Sequence, residues 1–384
     1  MSAIPVHASP FLFELLTNAL PDVYQSYVEL RRLGGVVRDS SGVILLARHD
    51  DIVKTFADRR FTSVGRQSLA RVSPALQEKM EASRLFDLLN FRDGDSHRQA
   101  RRVLAGLFNP DTMERIRAAI AAEAGVLMER WEAGEADDFV AEVTAPLPMR
   151  ALAMLIGLEE AGLRDFFSRT HHFGAWLSAA VFSEEGLGLV ADEFVWARGW
   201  LRAQLEGKPL FDAVPDDGDA RENLLGDLLL VLVTGYDSSV ALLLGNGLAT
   251  LVSVPALRRD RLASDPGLSL RAAEELIRYD SRAQVAFRLA LEDVTLGEHQ
   301  IAKGEFVALV NGSGNRDETI YDHADQLDFD RPKQRTLARA QLTGFLDGVR
   351  PWLPHLTLDE ATAPVRQHGL LRHREHLMLR HMAA

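Results

Sequence analysis

The chain of 384 residues contains no cysteine. Disulfides, cysteine-bound zinc, iron–sulfur clusters and thiol nucleophiles are therefore excluded, and any metal has to be bound by histidine or carboxylate. A run of about 18 uncharged apolar residues is also missing, so we expect no membrane span. The first residues, MSAIPVHASPFLFELL, have no basic segment before the apolar ones and no small-residue cleavage site. This pattern favours a cytoplasmic location.

Basic residues are fewer than acidic ones, at 43 against 55, and the net charge is -12. An acidic chain repels phosphate backbones, and no basic stripe offsets this charge, so nucleic acid is not an expected partner. The motifs G-x-S-x-G and H-E-x-x-H and the P-loop are missing as well. Apolar residues make up 47% of the chain, which is enough for a large core, and no repeat or low-complexity linker divides it. We therefore predict one domain over residues 1–384.

Helical periods dominate, with a few short alternating segments between them. The predicted N-terminal elements are a helix over residues 11–33 with a start at Pro21 and Asp22, strands Val36–Arg38 and Val43–Ala47, and a helix from His49 through Phe56. Residues 74–249 are predicted to be mostly helical, and a late helix over residues 337–349 precedes the closing strands. This order indicates a mainly α fold with small β-sheets.

The stretch over residues 274–331 carries the clearest motif. Apolar residues recur at three- and four-residue steps across residues 270–277, which predicts a helix. Glu275 and Arg278 lie three residues apart on one face of this helix, where they can pair. The period then falls to two in VAFRLALEDVTL, and a turn at Gly297 leads to a further strand.

These residues resemble those of the bacterial cytochrome P450 superfamily, whose members carry E-x-x-R on a core helix and a later arginine. The matching residues are Glu275, Arg278 and Arg331, which by this resemblance form a structural triad. In the family the triad holds the segment that presents a cysteine thiolate to haem iron. Here Leu337-Ala338-Arg339, which resembles the start of the family's last long helix, follows almost at once. The resemblance therefore implies a P450-like fold from which the cysteine-ligand loop, roughly a dozen residues, is deleted.

Three cations match the family's contacts to the haem propionates. His97 and Arg101 fit the motif H-x-x-x-R and share one helix face at i and i+4, and Arg288 matches a third contact. Imidazole and guanidinium suit carboxylates, so the resemblance implies a ligand- or anion-binding site at these positions. The alternative is that Arg98, Arg101 and Arg102 form a solvated basic face.

The predicted helix over residues 224–251 contains TGYDSS, which resembles the A-G-x-[DE]-T-T of the family's helix above the haem. By this resemblance Asp237 and Ser238 take the places of the acid and the alcohol that pass protons. They are the candidate catalytic residues if the protein is an enzyme. Alternatively, their side chains bond backbone carbonyls at a kink.

The histidines predict no metal site. His171 and His172 are neighbours in a helix, where adjacent side chains point about 100° apart, so we expect them not to chelate one ion. His373 and His376, three residues apart near the end of the chain, are expected to face water.

Oxygen activation in the family depends on electron push from the axial thiolate. Because the chain has no cysteine, we expect no haem-thiolate monooxygenase activity and no cofactor, with haem binding disfavoured. Relatives without the cysteine include auxiliary proteins that bind and activate glycosyltransferases in natural-product pathways. The resemblance implies that role, and a glycosyltransferase as the partner.

Two alternatives stay open. A haem-free cavity with His97, Arg101 and Arg288 favours a small apolar or anionic metabolite as ligand. Asp237 could then serve as general acid or base in an isomerase, cyclase or dehydratase that acts on a polyketide- or terpenoid-like substrate. The second alternative is a haem protein with a ligand other than cysteine.

Overall fold

The structure, a computed structural model, describes residues 4–178, 183–214, 219–236, 240–331 and 338–382. The α-helices are α1 (Phe11–Leu16), α2 (Val23–Arg32), α3 (His49–Ala57), α4 (Pro74–Ser83), α5 (Gly94–Ala105), α6 (Pro110–Glu132), α7 (Pro146–Ile156), α8 (Glu160–Arg169), α9 (His171–Ser178), α10 (Glu184–Leu205), α11 (Pro209–Asp212), α12 (Asp219–Gly235), α13 (Val240–Ser253), α14 (Ala256–Ser264), α15 (Ser269–Tyr279), α16 (Asn311–Gly314) and α17 (Ala338–Val349). The strands are β1 (Val36–Arg38), β2 (Ile44–Leu46), β3 (Phe61–Ser63), β4 (Ala286–Ala290), β5 (Val294–Leu296), β6 (His299–Ile301), β7 (Phe306–Leu309), β8 (Leu356–Leu358), β9 (Arg366–His368), β10 (Leu371–His373) and β11 (Leu379–His381). Long helices with short strands between them confirm the predicted fold class.

The helix predicted over residues 11–33 consists of two helices, α1 and α2. Asp22 starts the second one, because its Oδ1 accepts hydrogen bonds from the backbone amides of Tyr24 at 2.9 Å and Gln25 at 3.0 Å. A capping side chain satisfies amides that the first helical turn leaves without a carbonyl partner, and so fixes where the helix begins. The start at Asp22 was predicted correctly. The prediction of one continuous helix over residues 11–33 was wrong.

One sheet joins distant parts of the chain in the strand order β1-β2-β7-β4-β3. β2 and β7 pair in parallel, with Ile44 opposite Val307 and Leu45 opposite Ala308. Adjacent residues of a strand point to opposite faces. Accordingly, Leu45 and Ala308 pack into one apolar cluster and Ile44 and Val307 into another. The neighbouring strands β2 and β7 are therefore covered by apolar side chains on both faces.

Helix α17 approaches α6 closely. A Cβ atom at Gly344 would lie 2.5 Å from the carbonyl oxygen of Arg117, and one at Gly348 would lie 2.5 Å from that of Ala121. Side chains at these two positions would push the helix backbones apart, so glycine is required for this approach. α17 also packs against α15 within the largest apolar cluster, which ties the C-terminal helix to the centre of the fold.

Within the described residues, no single helix is both long and apolar enough to cross a membrane. Among the residues that the structure describes, one bent pair of helical segments, Val140–Ile156 and Glu160–Arg169 at 114° to each other, has sufficient length and apolar composition when the two are taken together.

Candidate functional site

Glu275 and Arg278 form a buried ion pair on α15. Nε and Nη2 of Arg278 donate to the two carboxylate oxygens at 2.8 and 2.7 Å, and Nε of Arg331 donates to Oε1 of Glu275 at 3.1 Å. The Glu275 and Arg278 side chains are 3% and 1% exposed. The structure thus brings the three predicted triad residues together.

The triad also holds the segment between β7 and Arg331. The guanidinium of Arg278 donates to the carbonyl oxygens of Asn315, Ala324 and Gln326 at 2.8, 2.9 and 3.0 Å. A buried charge is tolerated only where its hydrogen-bonding capacity is met, as it is here. The role of these contacts is to fix the path of the chain.

A pocket of about 1160 Å³ lies between the start of α5, β4 and the helices α9 and α10. Its walls include the aromatic side chains of Phe56, Phe91 and Trp176 and the cationic or titratable side chains of His97 and Arg288. Such a lining suits a ligand with a large apolar body and an anionic group, because the rings bury the body and the few polar groups orient it.

Of the three predicted anion-binding residues, His97 and Arg288 line the pocket, whereas Arg101 is exposed and does not. Burial, and then the neighbouring Arg101, lower the pKa of His97, so its ring is neutral at pH 7. Burial also lowers the pKa of Arg288, whose guanidinium carbon lies 4.7 Å from the ring centre of Phe56. Arg288 stays charged at neutral pH and is the stronger attractor of an anion.

Asp93 lines the same pocket as these two groups and is a residue that sequence reasoning missed. Its carboxylate accepts a hydrogen bond from the Thr62 hydroxyl of β3. Its negative charge opposes the lowering of the pKa of both His97 and Arg288. The only signal in the sequence was an acidic residue immediately before the first residue of α5.

A second acidic residue that sequence reasoning missed is Asp227 of α12. Its carboxylate accepts a hydrogen bond from Arg92, a pocket residue, and the two side chains are 4% and 12% exposed. Burial raises the pKa of Asp227, and the hydrogen bond from Arg92 opposes this effect. The available signal was a single aspartate within the apolar run LLGDLLL. A buried carboxylate is costly unless it has a partner, so this aspartate indicates a buried ion pair.

Two predictions fall on residues that the structure does not describe. Asp237 and Ser238, the candidate proton carriers, lie outside the described residues, between α12 and α13. The inferred loop deletion falls at residues 332–337, which also lie outside them. Both stay predictions.

The side chains of His171 and His172 are oriented differently from the prediction. Their ring centres lie 4.0 Å apart, and both rings approach Glu193 of α10. The prediction of divergent side chains used the geometry of a helix interior. These residues are the first two of α9, where no preceding turn restricts χ1, so adjacent side chains can turn towards one another.

Comparison with curated proteins identifies relatives over most of the chain. It is similar to the mycinamicin IV hydroxylase/epoxidase of Micromonospora griseorubida, with 30% identity over 316 residues that cover 79% of this chain and 75% of that protein. The polyketide biosynthesis cytochrome P450 PksS of Bacillus subtilis is 26% identical over 328 residues, 81% and 77% of the two chains. The chain belongs to the cytochrome P450 superfamily. No family model matches it.

Solved structures confirm the P450 fold. CalO2 matches with a TM-score of 0.81 and 25% identity over 94% of this chain and 96% of its own. P450BioI, in complex with an acyl carrier protein ligated to hexadec-9Z-enoic acid, matches with a TM-score of 0.80 and 21% identity, covering 96% and 99%. The resemblance to bacterial P450s is thereby confirmed, and the chain is a homologue of P450s from natural-product biosynthesis.

The prediction that the protein has no cofactor is wrong. The relatives and structural neighbours are members of the haem-binding P450 family and point to haem as the cofactor. His97 and Arg288 fit this group, since they offer an imidazole and a guanidinium to its carboxylates within an aromatic pocket. The axial position does not fit the family pattern, because no cysteine exists to supply a thiolate.

Proposed function

We propose that this P450 serves natural-product biosynthesis as an auxiliary protein that binds and activates a glycosyltransferase. The observation that carries the proposal is an intact triad at Glu275, Arg278 and Arg331 in a chain without cysteine. The triad supports the fold, whereas cleavage of the O–O bond in this family draws on electron push from a thiolate. The chain keeps the scaffold of the fold but lacks the thiolate on which oxygenation depends. This combination favours a role in binding a partner protein.

Helix α5 supports a protein partner. Arg101 and Arg102 are exposed in an acidic protein, and Val103 beside them is 39% exposed. A cationic surface with an exposed apolar residue next to it favours an acidic face on the partner. The structural neighbour P450BioI, which binds an acyl carrier protein, is an example of this fold in a complex with a second protein.

The pocket residues have a separate task in this proposal. His97 and Arg288 would hold haem by its propionates, and the aromatic side chains of the pocket would bury its apolar part. In thiolate-ligated relatives haem supplies oxygen activation. In this chain His97 and Arg288 would bind and orient the group, and the resulting fold would present α5 to the partner. The cytoplasmic location expected from the sequence is part of the proposal.

The test is reconstitution with a glycosyltransferase of the same pathway. We expect the two proteins to co-purify and the transferase turnover to rise when this protein is added. The double variant Arg101→Glu/Arg102→Glu should weaken both effects, since it reverses the charge of α5. Arg261→Glu, which changes an exposed arginine on α14, is the matched control. Unchanged turnover on addition of wild-type protein would count against the auxiliary role.

The pocket itself favours a second candidate, an isomerase, cyclase or dehydratase. Its volume and the pair His97 and Arg288 suit a polyketide- or terpenoid-like substrate with a carboxylate or phosphate. In that case the protein alone converts a pathway intermediate, and Arg288→Ala and Asp237→Asn each reduce the rate while Arg261→Ala does not. Equal rates in all three variants would exclude these residues from the reaction.

A further inference from the structure

Three potential metal ligands meet where α9 contacts α10. His171, His172 and Glu193 each offer one ligand atom, and these atoms all lie within 4.8 Å of one another. Nδ1 of His172 lies 2.6 Å from Oε1 of Glu193, and Nδ1 of His171 lies 3.8 Å from the same oxygen. The cluster is separate from the residues that line the pocket.

The carboxylate is held in place by the backbone. The amide of His172 donates to Oε1 of Glu193 at 3.3 Å, and the amide of Phe173 donates to Oε2 at 2.9 Å. The Glu193 side chain is 13% exposed, and Phe173 is fully buried beneath it. Glu193 is therefore fixed before any ion arrives, while the imidazoles, at 66% and 33% exposed, are open to solvent. A carboxylate has further lone pairs on both oxygens, so the two amides do not use up its capacity.

The spacing suits a tetrahedral ion. With bonds of about 2.0–2.1 Å to nitrogen and oxygen, ligand atoms around zinc lie roughly 3.3 Å apart. The two distances to Oε1, 2.6 and 3.8 Å, fall on either side of this value, so small rotations of the exposed His171 ring and the half-buried His172 ring bring both into range. Two imidazoles and one carboxylate form a donor set that zinc accepts, with a fourth position left for water.

We propose that His171, His172 and Glu193 bind one divalent cation of the zinc type. The ion joins the first turn of α9 to α10. Trp176 and Leu177, which line the pocket, lie in α9 shortly after the two histidines, and Leu187 of α10 lines the same pocket. The ion therefore fixes two helices that form one wall of the pocket.

The experiment is a titration of the metal-stripped, full-length protein with Zn²⁺, followed by competition with a chromophoric chelator. We expect one equivalent of Zn²⁺ per chain. His171→Ala and His172→Ala should each weaken binding by about tenfold or more, since loss of a direct ligand costs at least as much as loss of a residue that orients one. Glu193→Gln should weaken it too, although the single amide oxygen of glutamine can still accept one of the two backbone hydrogen bonds. Co²⁺ in place of Zn²⁺ should give the intense visible absorption of a tetrahedral site in the wild type, and this absorption should be lost in the variants of the three ligands.

His376→Ala is the matched control. His376 is 65% exposed and pairs with one carboxylate, Asp138, at 2.6 Å, without joining the cluster of ligands around Glu193. The His376→Ala variant should bind Zn²⁺ as the wild type does. Because the His171 side chain is largely exposed, His171→Ala is expected to fold, which circular dichroism checks. Equal Zn²⁺ affinity in the wild type and His171→Ala, or an equal loss in His376→Ala, would overturn the proposal.

Discussion

At the scale of single residues, the Glu275 carboxylate has several hydrogen-bond donors around it. It accepts hydrogen bonds from Arg278, Arg331 and the backbone amide of Asp328, and it is almost fully buried. Two guanidinium groups converge on its single negative charge. Removal of that charge leaves Arg278, which is buried as deeply, without its counter-charge.

We predict that Glu275→Gln lowers the free energy of unfolding by about 3–5 kcal/mol, the range found when one partner of a buried ion pair is removed. Urea denaturation at neutral pH measures the loss.

Asp330→Asn is the matched carboxyl-to-amide control. Asp330 pairs with Arg261 at 2.7 and 2.8 Å, but both side chains are about half exposed. A solvent-exposed pair of this kind contributes about 0–1 kcal/mol. A loss for Glu275→Gln no larger than that of the control would contradict the structural role of the triad.

At the scale of helices and strands, the contact between α6 and α17 depends on the absence of side chains. Gly348 would place a Cβ 2.5 Å from the carbonyl oxygen of Ala121 and 2.6 Å from the Cβ of Ala124. Backbone atoms of a packed helix cannot move aside as a flexible side chain can. The helices would have to separate.

We predict that Gly348→Ala destabilises the protein by about 1–3 kcal/mol through overpacking. Gly125→Ala, in the α6 helix itself, is the control, because nothing lies within 4 Å of the added methyl group. Gly125→Ala should stabilise the protein by about 0.5–1 kcal/mol, since alanine is more favourable than glycine inside a helix. The midpoints of thermal unfolding should thus move in opposite directions, and a shift of both in the same direction refutes the close packing.

Asp138 ties the C-terminal strand region to the helical turn Val140–Thr144, which precedes α7. Its Oδ2 lies 2.6 Å from Nδ1 of His376, and its Oδ1 accepts from the amides of Leu377 and Val140. Burial alone would raise the pKa of Asp138, but these hydrogen bonds lower it below 3.8. The hydrogen bond to Asp138 and its charge raise the pKa of His376 above 6.5.

These opposite shifts predict a pH window of stability. The contribution of Asp138 is present above its ordinary pKa near 3.8 and is lost as the pH falls through the lowered value. The contribution of His376 is present below 6.5 and is lost as the pH rises through the raised value. His376→Ala should therefore lower the melting temperature most between about pH 4 and 6.5 and least near pH 9. His355→Ala, which removes another exposed histidine, is the control variant. An equal deficit at pH 5 and pH 9 would rule out the ion pair.

For the whole molecule, the deciding feature is that the chain belongs to the P450 superfamily but has no cysteine to supply a thiolate. We predict that protein expressed with a haem precursor purifies with porphyrin absorption, and that its reduced carbon monoxide complex lacks the spectrum of a thiolate-ligated P450. His97→Ala and Arg288→Ala should lower the haem content, because each removes a donor to its carboxylates, while Arg261→Ala should not. Protein without porphyrin absorption under these conditions would contradict haem as the cofactor.

Most of the scaffold could be predicted from sequence because its signals are local. The spacing of Glu275 and Arg278 puts both on one helix face, and Asp22 caps a helix by reaching amides two and three residues ahead. Strand and helix periods likewise depend on neighbours in the chain. Family resemblance added Arg331, whose partner is distant in sequence.

What escaped prediction depends on contacts across the fold. Asp93 meets Thr62 from β3, and Asp227 meets Arg92, 135 residues away in the chain. No spacing rule encodes such pairs. The approach of His171 to Glu193 likewise required knowledge of how α9 packs on α10. Cofactor prediction failed for another reason: the missing cysteine received more weight than the cations that the family uses for haem.

The parallel pairing of β2 with β7 has a consequence for synthesis of the protein. β2 leaves the ribosome early, yet the strand that completes its hydrogen bonding, with Ile44 opposite Val307, is translated far later. Until then β2 presents an open strand edge, which is prone to pair with other chains. Premature termination before β7 would therefore release polypeptides that aggregate, and the nascent protein should depend on chaperones until most of it has been made.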